Sequence, residues 1–223
     1  MKTLKYFSMM LMMAMMAFSM AACGSDKNDD DDGDKDTRIN SVVPSKYRSQ
    51  LEKYMSIYDG VNPPNVEGVY LSSPTVLVYT SDGQYEAGHK FADKYYKFQN
   101  QNSTNNTIDY EAKQNTSTQN GNGAFISGEG NNFTIFFNTN GKDGNATYKM
   151  ALVLSGTKTS AGIRNLEYAF VMLEKNDPDN EKMDVGTYRI VKDGDGISEP
   201  TTWSSNAPTL ELDVEDLLFD ISK

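Results

Sequence analysis

The sequence predicts an all-β fold: an antiparallel up-and-down barrel of about eight strands, preceded by one short N-terminal helix. Two observations carry this prediction. From Val66 onward the apolar residues recur with a period of two, and the short runs they form are separated by Gly, Asn, Asp and Ser clusters. Before Val66 only one stretch has helical spacing, so no alternation of helices with strands supports a parallel sheet.

The chain opens with Lys2 and Lys5, continues through an apolar stretch rich in methionine, and closes on Met20-Ala21-Ala22-Cys23. Residues 1–22 read as a secretory leader, too short and too quickly followed by charge to be a spanning helix. Eight of the 12 methionines lie in it, so methionine content says nothing about a soft binding surface downstream. The Met20–Cys23 run resembles the bacterial lipobox, which implies cleavage before Cys23 and acylation of that cysteine, with palmitate as a typical chain. Cys23 is the only cysteine, so its acylation leaves no thiol for a disulfide, a zinc site or a nucleophile.

Residues 23–41 read as an acidic tether. Ser25 to Asp36 holds seven aspartates and two lysines, and like charges this dense repel one another and bury nothing. The run resembles the acidic export signals of Bacteroidetes-type surface lipoproteins, which implies the outer membrane, with the cell surface favoured over its periplasmic face. The full chain carries a net charge of −10, and removing Lys2 and Lys5 with the leader takes it to −12. Such a balance excludes nucleic acid as the expected partner, because phosphate binding needs Lys and Arg.

The folded domain is expected over 42–223. Tyr47, Leu51, Tyr54, Met55 and Tyr58 line one face of a helix, with Pro44-Ser45 as its start and Asp59-Gly60 as its stop. Strands are then expected at 66–71, 75–79, 91–98, 107–114, 124–127, 133–138, 147–155, 166–174 and 187–191. The expected turns are Ser81-Asp82-Gly83, Asn120-Gly121-Asn122-Gly123, Asn140 to Gly144, Ser160-Ala161-Gly162 and Asp193 to Gly196. The amide-rich tract from Gln99 to Asn122 reads as a long flexible hairpin arm. Near the end, Leu210, Leu212 and Val214 alternate as a strand while Val214, Leu217, Leu218 and Ile221 have helical spacing, and the sequence leaves both open.

Alternation is clearest in two strands. Tyr148, Met150, Leu152 and Leu154 share one face, and Leu166, Tyr168, Phe170 and Met172 share another, so these faces are expected to be buried together. A barrel of about eight strands is either filled by such side chains or wide enough for one small ligand. Both readings stay open. Candidate ligand-binding residues are Tyr148, Met150, Tyr168, Phe170, Met172 and Trp203, the last either a platform for sugar stacking or a plug for one barrel end.

Gly68-Val69-Tyr70 at the first strand, the succession of hairpins, and Arg189 in the last strand resemble the lipocalin and calycin pattern. The resemblance implies that Tyr70 replaces a tryptophan at the barrel base and that Arg189 stacks over it. It does not imply transport, since one barrel hosts many tasks.

Catalytic motifs are not found in the sequence. His89 is the only histidine, which leaves a Ser-His-Asp triad no other choice and excludes a histidine-rich metal site. Ser127-Gly128-Glu129-Gly130 is not a nucleophile elbow, and Asp193 to Glu199 does not match a calcium loop. The expectation is a non-catalytic, cofactor-free envelope protein, anchored to the membrane by lipid and capturing a small apolar molecule or a glycan. The alternative is an interaction or assembly module with a filled barrel.

Overall fold

The computed structural model describes residues 38–203 apart from 115, 116 and 144. The leader, Cys23, most of the acidic tether and the stretch from Ser204 onward lie outside the described residues. Two short helices, α1 (Ile39–Val42) and α2 (Ser45–Leu51), come first, followed by β1 (Val61–Asn62), β2 (Gly68–Ser72), β3 (Thr75–Thr80), β4 (Lys90–Phe91), β5 (Lys94–Asn102) and β6 (Thr107–Gln114). Then come β7 (Ser117–Glu129), β8 (Asn132–Asp143), β9 (Ala146–Thr159), β10 (Gly162–Asn176), β11 (Tyr188–Asp193) and β12 (Ile197–Pro200).

The pairing closes a ring of eight strands in up-and-down order. Strands β2 and β3 are two halves of one broken strand, as are β4 and β5, and β11 and β12. β5 pairs with β2 through Tyr70↔Tyr96, and β4 with β3 through Thr75↔Phe91. From β5 the hairpins run in sequence to β10. β10 then pairs with β12 near its start, Ile163↔Ser198, and with β11 farther along, Phe170↔Arg189. The seam is completed by β12 on β2 (Leu71↔Glu199) and β11 on β3 (Asp193↔Thr75), bridged at the break by the Gly194 N–H donating to the Pro74 carbonyl at 2.8 Å. Among the described residues the ring closes through β12 and β11, which pair on both sides, and closure of this kind removes the usual template for edge-to-edge aggregation.

The sheet is apolar on both faces where the helices lie. Inside, the register aligns Ile135, Leu154 and Tyr168, and beside them Phe137, Leu152 and Phe170. Outside, Phe136, Val153, Ala169 and Ile190 form a row that is buried beneath Ile39, Val42, Val43, Leu51 and Met55. This is why β9 and β10 read as nearly continuous hydrophobic runs. Alanines at 151 and 169 leave the room a helix needs to approach the strands.

Several expectations are corrected. The expected helix over Tyr47 to Tyr58 stops at Leu51, because the following chain is spent as a strap across one end of the barrel. There the Ser56 N–H donates to Glu167, the Tyr58 N–H to Thr134 Oγ1 at 2.7 Å, and the Ser127 hydroxyl to the Tyr58 carbonyl at 2.7 Å. β1 pairs in parallel with β7, and Val66 is fully buried against the interior while its N–H donates to Gln101 Oε1. Packing also begins earlier than Val42, since Ile39 is buried.

The Gln99 to Asn122 tract is no arm: it forms the end of β5, β6 and the start of β7, and Ile108, Tyr110 and Ala112 point from it into the core. Two expected turns also lie inside strands. Asn120 to Gly123 belongs to β7, where a Cβ on Gly121 would press into the ring of Phe137, and Asn140 to Asp143 belongs to β8, where a Cβ on Gly141 would overlap the ring of Tyr148. These glycines serve close approach of an aromatic ring to the backbone rather than reversal of the chain. Asp193 to Gly196 is a bend between β11 and β12, not a hairpin, and β12 is a strand missed in the sequence.

Replacing Leu51, fully buried between α2 and the barrel, tests whether the helix is integral to the fold. Leu51→Ala is expected to cost about 2–5 kcal/mol, measured as a lower urea midpoint with an unchanged slope.

Candidate functional site

Four of the six candidate ligand residues, Met150, Tyr168, Phe170 and Met172, are buried on the inner face of β9 and β10. Tyr148 packs against the same cluster but is half exposed. Its ring borders a recess of about 400 Å³ with Asn140, Thr147, Lys149 and Glu174, at the barrel end opposite the strap. Trp203 is not brought to this group. It lies on the outer surface, with Lys97 Nζ 5.6 Å from its ring, so it neither plugs the barrel nor lines it.

The expected Arg189–Tyr70 stack does not form. Antiparallel pairing puts Tyr70 beside Pro200 and Arg189 beside Thr80, at opposite ends of the barrel. Lys158 takes the place beside Tyr70, donating to its hydroxyl at 2.8 Å with Nζ 4.9 Å from the ring. Arg189, fully buried, instead holds the loop after β3: it donates to Thr80 Oγ1 at 3.3 Å, Asp82 Oδ2 at 3.0 Å and Gln84 Oε1, and lies 5.1 Å over Tyr85. Burial alone would raise the Asp82 carboxyl, but the Thr80 hydroxyl, the Gln84 N–H and Arg189 outweigh it and hold it below its ordinary value. His89 sits between Tyr85 and Phe91 at 4.6 and 4.8 Å, so it packs within this aromatic group.

The chemistry inside the barrel centres on two residues that sequence reasoning passed over. Lys94 follows the break between β4 and β5 and shares the inward parity of Tyr96 and Phe98. It is 2% exposed. Its Nζ donates to Gln119 Oε1 at 3.2 Å, and lies 3.8 Å over the ring of Tyr168 and 5.5 Å from that of Tyr96. The Tyr110 and Tyr168 hydroxyls donate to the same Gln119 oxygen, at 3.3 and 3.1 Å. Three donors thus converge on one carbonyl oxygen, which has two lone pairs. All three distances are longer than an unshared bond of this kind.

Burial sets the protonation here. It drives the Lys94 ammonium down to about 7 and the Tyr96, Tyr110 and Tyr168 hydroxyls well above their ordinary value. Tyr148 adds to the shift of Tyr168, which ties the residue at the recess electrostatically to the interior. On the seam side of the barrel interior, Asp193 is 2% exposed and accepts from the Ser198 hydroxyl at 2.5 Å, while its Oδ1 meets no donor among the described residues. Burial raises its carboxyl to about 6, with Asp195 adding to the rise and Ser198 opposing it. With Ser72 and Thr75, whose hydroxyls are 3.3 Å apart, the seam makes one polar wall facing the apolar wall of β7 to β10. Among the described residues, no group of three or more His, Cys, Asp or Glu is placed to hold a metal ion, and no helix is long and apolar enough to cross a membrane.

The signal for Lys94 was available. A lysine at the inward position of a strand that continues Lys94-x-Tyr96-x-Phe98 breaks the binary pattern, and such a break marks either an error of register or a site. Gln119 carried no such signal, since it lies in an unbroken run of polar residues and glycines from Asn115 to Gly123.

The two buried ionisable groups give opposite pH windows. The unfolded chain keeps the Lys94 proton up to its ordinary value of 10.5, whereas the folded chain releases it near 7, so stability from this group rises with pH across that interval. For Asp193 the folded chain holds a proton between 3.8 and about 6 that the unfolded chain has lost, so stability from this group falls as pH rises there. Urea unfolding over a pH series is expected to show both slopes, with Lys94→Met flattening the alkaline one and Asp193→Asn the acidic one. Comparison with protein-family models, with curated protein sequences and with solved structures gave no match, so what the barrel does is to be read from its own side chains.

Proposed function

We propose that this protein is a lipid-anchored, non-catalytic binding protein of the bacterial cell envelope that captures a small, largely apolar molecule in the upper part of its barrel. The Met20–Cys23 lipobox and the acidic run after it support anchoring at the outer membrane, with the barrel on the cell surface, as in Bacteroidetes-type lipoproteins of lipocalin-like shape. The single observation that carries the binding reading is the convergence of Lys94, Tyr110 and Tyr168 on Gln119 Oε1. A core built only for stability gains nothing from a buried amine, because desolvating it costs more than a methionine of similar volume in the same place. Clustered donors among apolar side chains are suited to a ligand with one oxygen acceptor on a hydrocarbon body.

A glycan fits less well, because its hydroxyls need several polar partners with ring faces, and Tyr148 and Trp203 are far apart on the barrel. The filled-barrel reading, in which the domain serves envelope assembly or protein interaction, is favoured by one feature. Rings of Tyr96, Phe98, Tyr110, Phe133 and Phe137 touch in a continuous series with centroids 4.6 to 6.5 Å apart.

Native mass spectrometry of the full-length protein, extracted from the membranes of its own host, separates the two. The binding reading expects a non-covalent companion mass that disappears on denaturation and is absent from Lys94→Met, which keeps or gains thermal stability. A companion-free protein whose Lys94→Met variant loses stability would favour the filled barrel.

A further inference from the structure

We propose that the loop between β10 and β11, residues 177–187, is a lid over the barrel end opposite the strap, with Met183 as its plug and Lys175 as its latch. This inference rests on the reading of the barrel as a small-molecule binder and adds how the occupant enters. The plug is the one apolar side chain that the loop buries: Met183 is 2% exposed and belongs to the interior cluster, whereas Pro178 and Val185 are exposed. Its surroundings are soft. Met150 and Met172 are register partners in the same cluster, so three of the four methionines downstream of residue 22 are interior. Unbranched thioether side chains re-pack around varied shapes, which suits an unbranched hydrocarbon taking the place of the plug.

The latch is a single ammonium. Lys175, one residue before the end of β10, donates from Nζ to the Lys182 carbonyl at 2.7 Å and, at 3.3 Å each, to Asp177 Oδ2, Asn180 Oδ1 and Asp184 Oδ1. Four acceptors spread along the loop share three N–H bonds, so its curvature is tied to one side chain. Asp177 extends the hold, accepting from the N–H groups of Glu181 and Lys182 at 3.2 and 2.7 Å. The other leg is hinged on β10. There the Gly186 N–H donates to the Met172 carbonyl at 2.8 Å, the Met172 N–H donates to the Thr187 carbonyl at 2.9 Å, and Gly186 has a φ of 94°.

A segment whose buried apolar surface is one side chain opens locally far more readily than a strand. The companion loop at this end, after β3, is fastened differently: fully buried Arg189 holds it through Asp82, and Tyr85, His89 and Phe91 pack on one another. Of the two, the Met183 loop is therefore the one able to swing. Its foot, Glu174 to Asn176, lines the recess of about 400 Å³ together with Tyr148, whose ring packs against the interior cluster. Withdrawal of Met183 opens that cluster toward a space already in contact with solvent.

The full-length protein is tested by methionine oxidation and by a fluorescent probe. With limiting hydrogen peroxide and peptide mapping, Met183 is expected to become the sulfoxide about five-fold faster than Met150 and Met172, although Met150, at 5%, is the most exposed of the three. Lys175→Met keeps the stem and removes the ammonium. It is expected to raise that rate, and amide exchange over residues 177–187, about ten-fold while β9 and β10 exchange as before. N-phenyl-1-naphthylamine, a neutral apolar fluorophore, is expected to bind Lys175→Met and Met183→Ala about ten-fold faster than the unaltered protein, and Met183→Leu at the unaltered rate, all shown folded by circular dichroism. Oxidation led by Met150, with the probe binding at one rate throughout, would overturn the lid and leave the binding function standing. Oxidation led by Met183, with the probe bound by none of the proteins, would overturn the binding function and keep the opening of the loop. Absence of both would overturn both.

Discussion

The seam between the first and last strands is the constraint on which the rest of the molecule depends. Strand β12 is short, yet it pairs on one side with β10 and on the other with β2, and it alone turns an open sheet into a ring at the strap end. Everything inside follows from that closure. Tyr96 and Tyr110 come from the neighbouring strands β5 and β6 and Tyr168 from β10, far along the chain, and only a closed barrel sets all three with Lys94 around a common interior. Closure also raises the energetic consequence of each polar group, because a hydroxyl or amine facing inward has no water to fall back on. The bend at Gly194, bonded to the Pro74 carbonyl, lets both halves of the seam stay in register despite the break in each strand.

The two faces of the barrel do different work. On the outside, α1 and α2 cover the row from Phe136 to Ile190 with aliphatic side chains, a pattern that serves stability. On the inside the walls are unlike: the seam contributes Ser72, Thr75, Asp193 and Ser198, while β7 to β10 contribute aliphatic and aromatic side chains. An interior with a polar wall, an apolar wall and a buried amine between them is chemically directional. Such asymmetry supports the proposed role in capturing a molecule with one polar end.

Much of the architecture was legible in the sequence, because alternation is a property of single strands. The antiparallel barrel, the inward faces of Met150 to Leu154 and Leu166 to Met172, and the strand at Thr107–Gln114 follow from it directly. What escaped had physical causes. Glycine within Asn-Gly runs reads as a turn, but at Gly121 and Gly141 its missing side chain accommodates Phe137 and Tyr148. The amide-rich tract reads as an arm because side-chain polarity hides a ladder made by the backbone. The helix reads too long because Tyr54 and Tyr58 keep helical spacing while serving other partners, Tyr54 stacking on Tyr79 at 3.9 Å. Arg189 and Tyr70 were paired by analogy, and strand direction alone separates them.

Arg38, the first described residue, donates to the Asn105 carbonyl at 2.6 Å and lies 4.5 Å over Phe125, beside the loop whose Asn106 holds the strap at Val61. Arg38 thus pins the start of α1 to the strap end of the barrel, so that one cation, two loops and the strap are locked together at the pole opposite Tyr148, Tyr85 and Arg189.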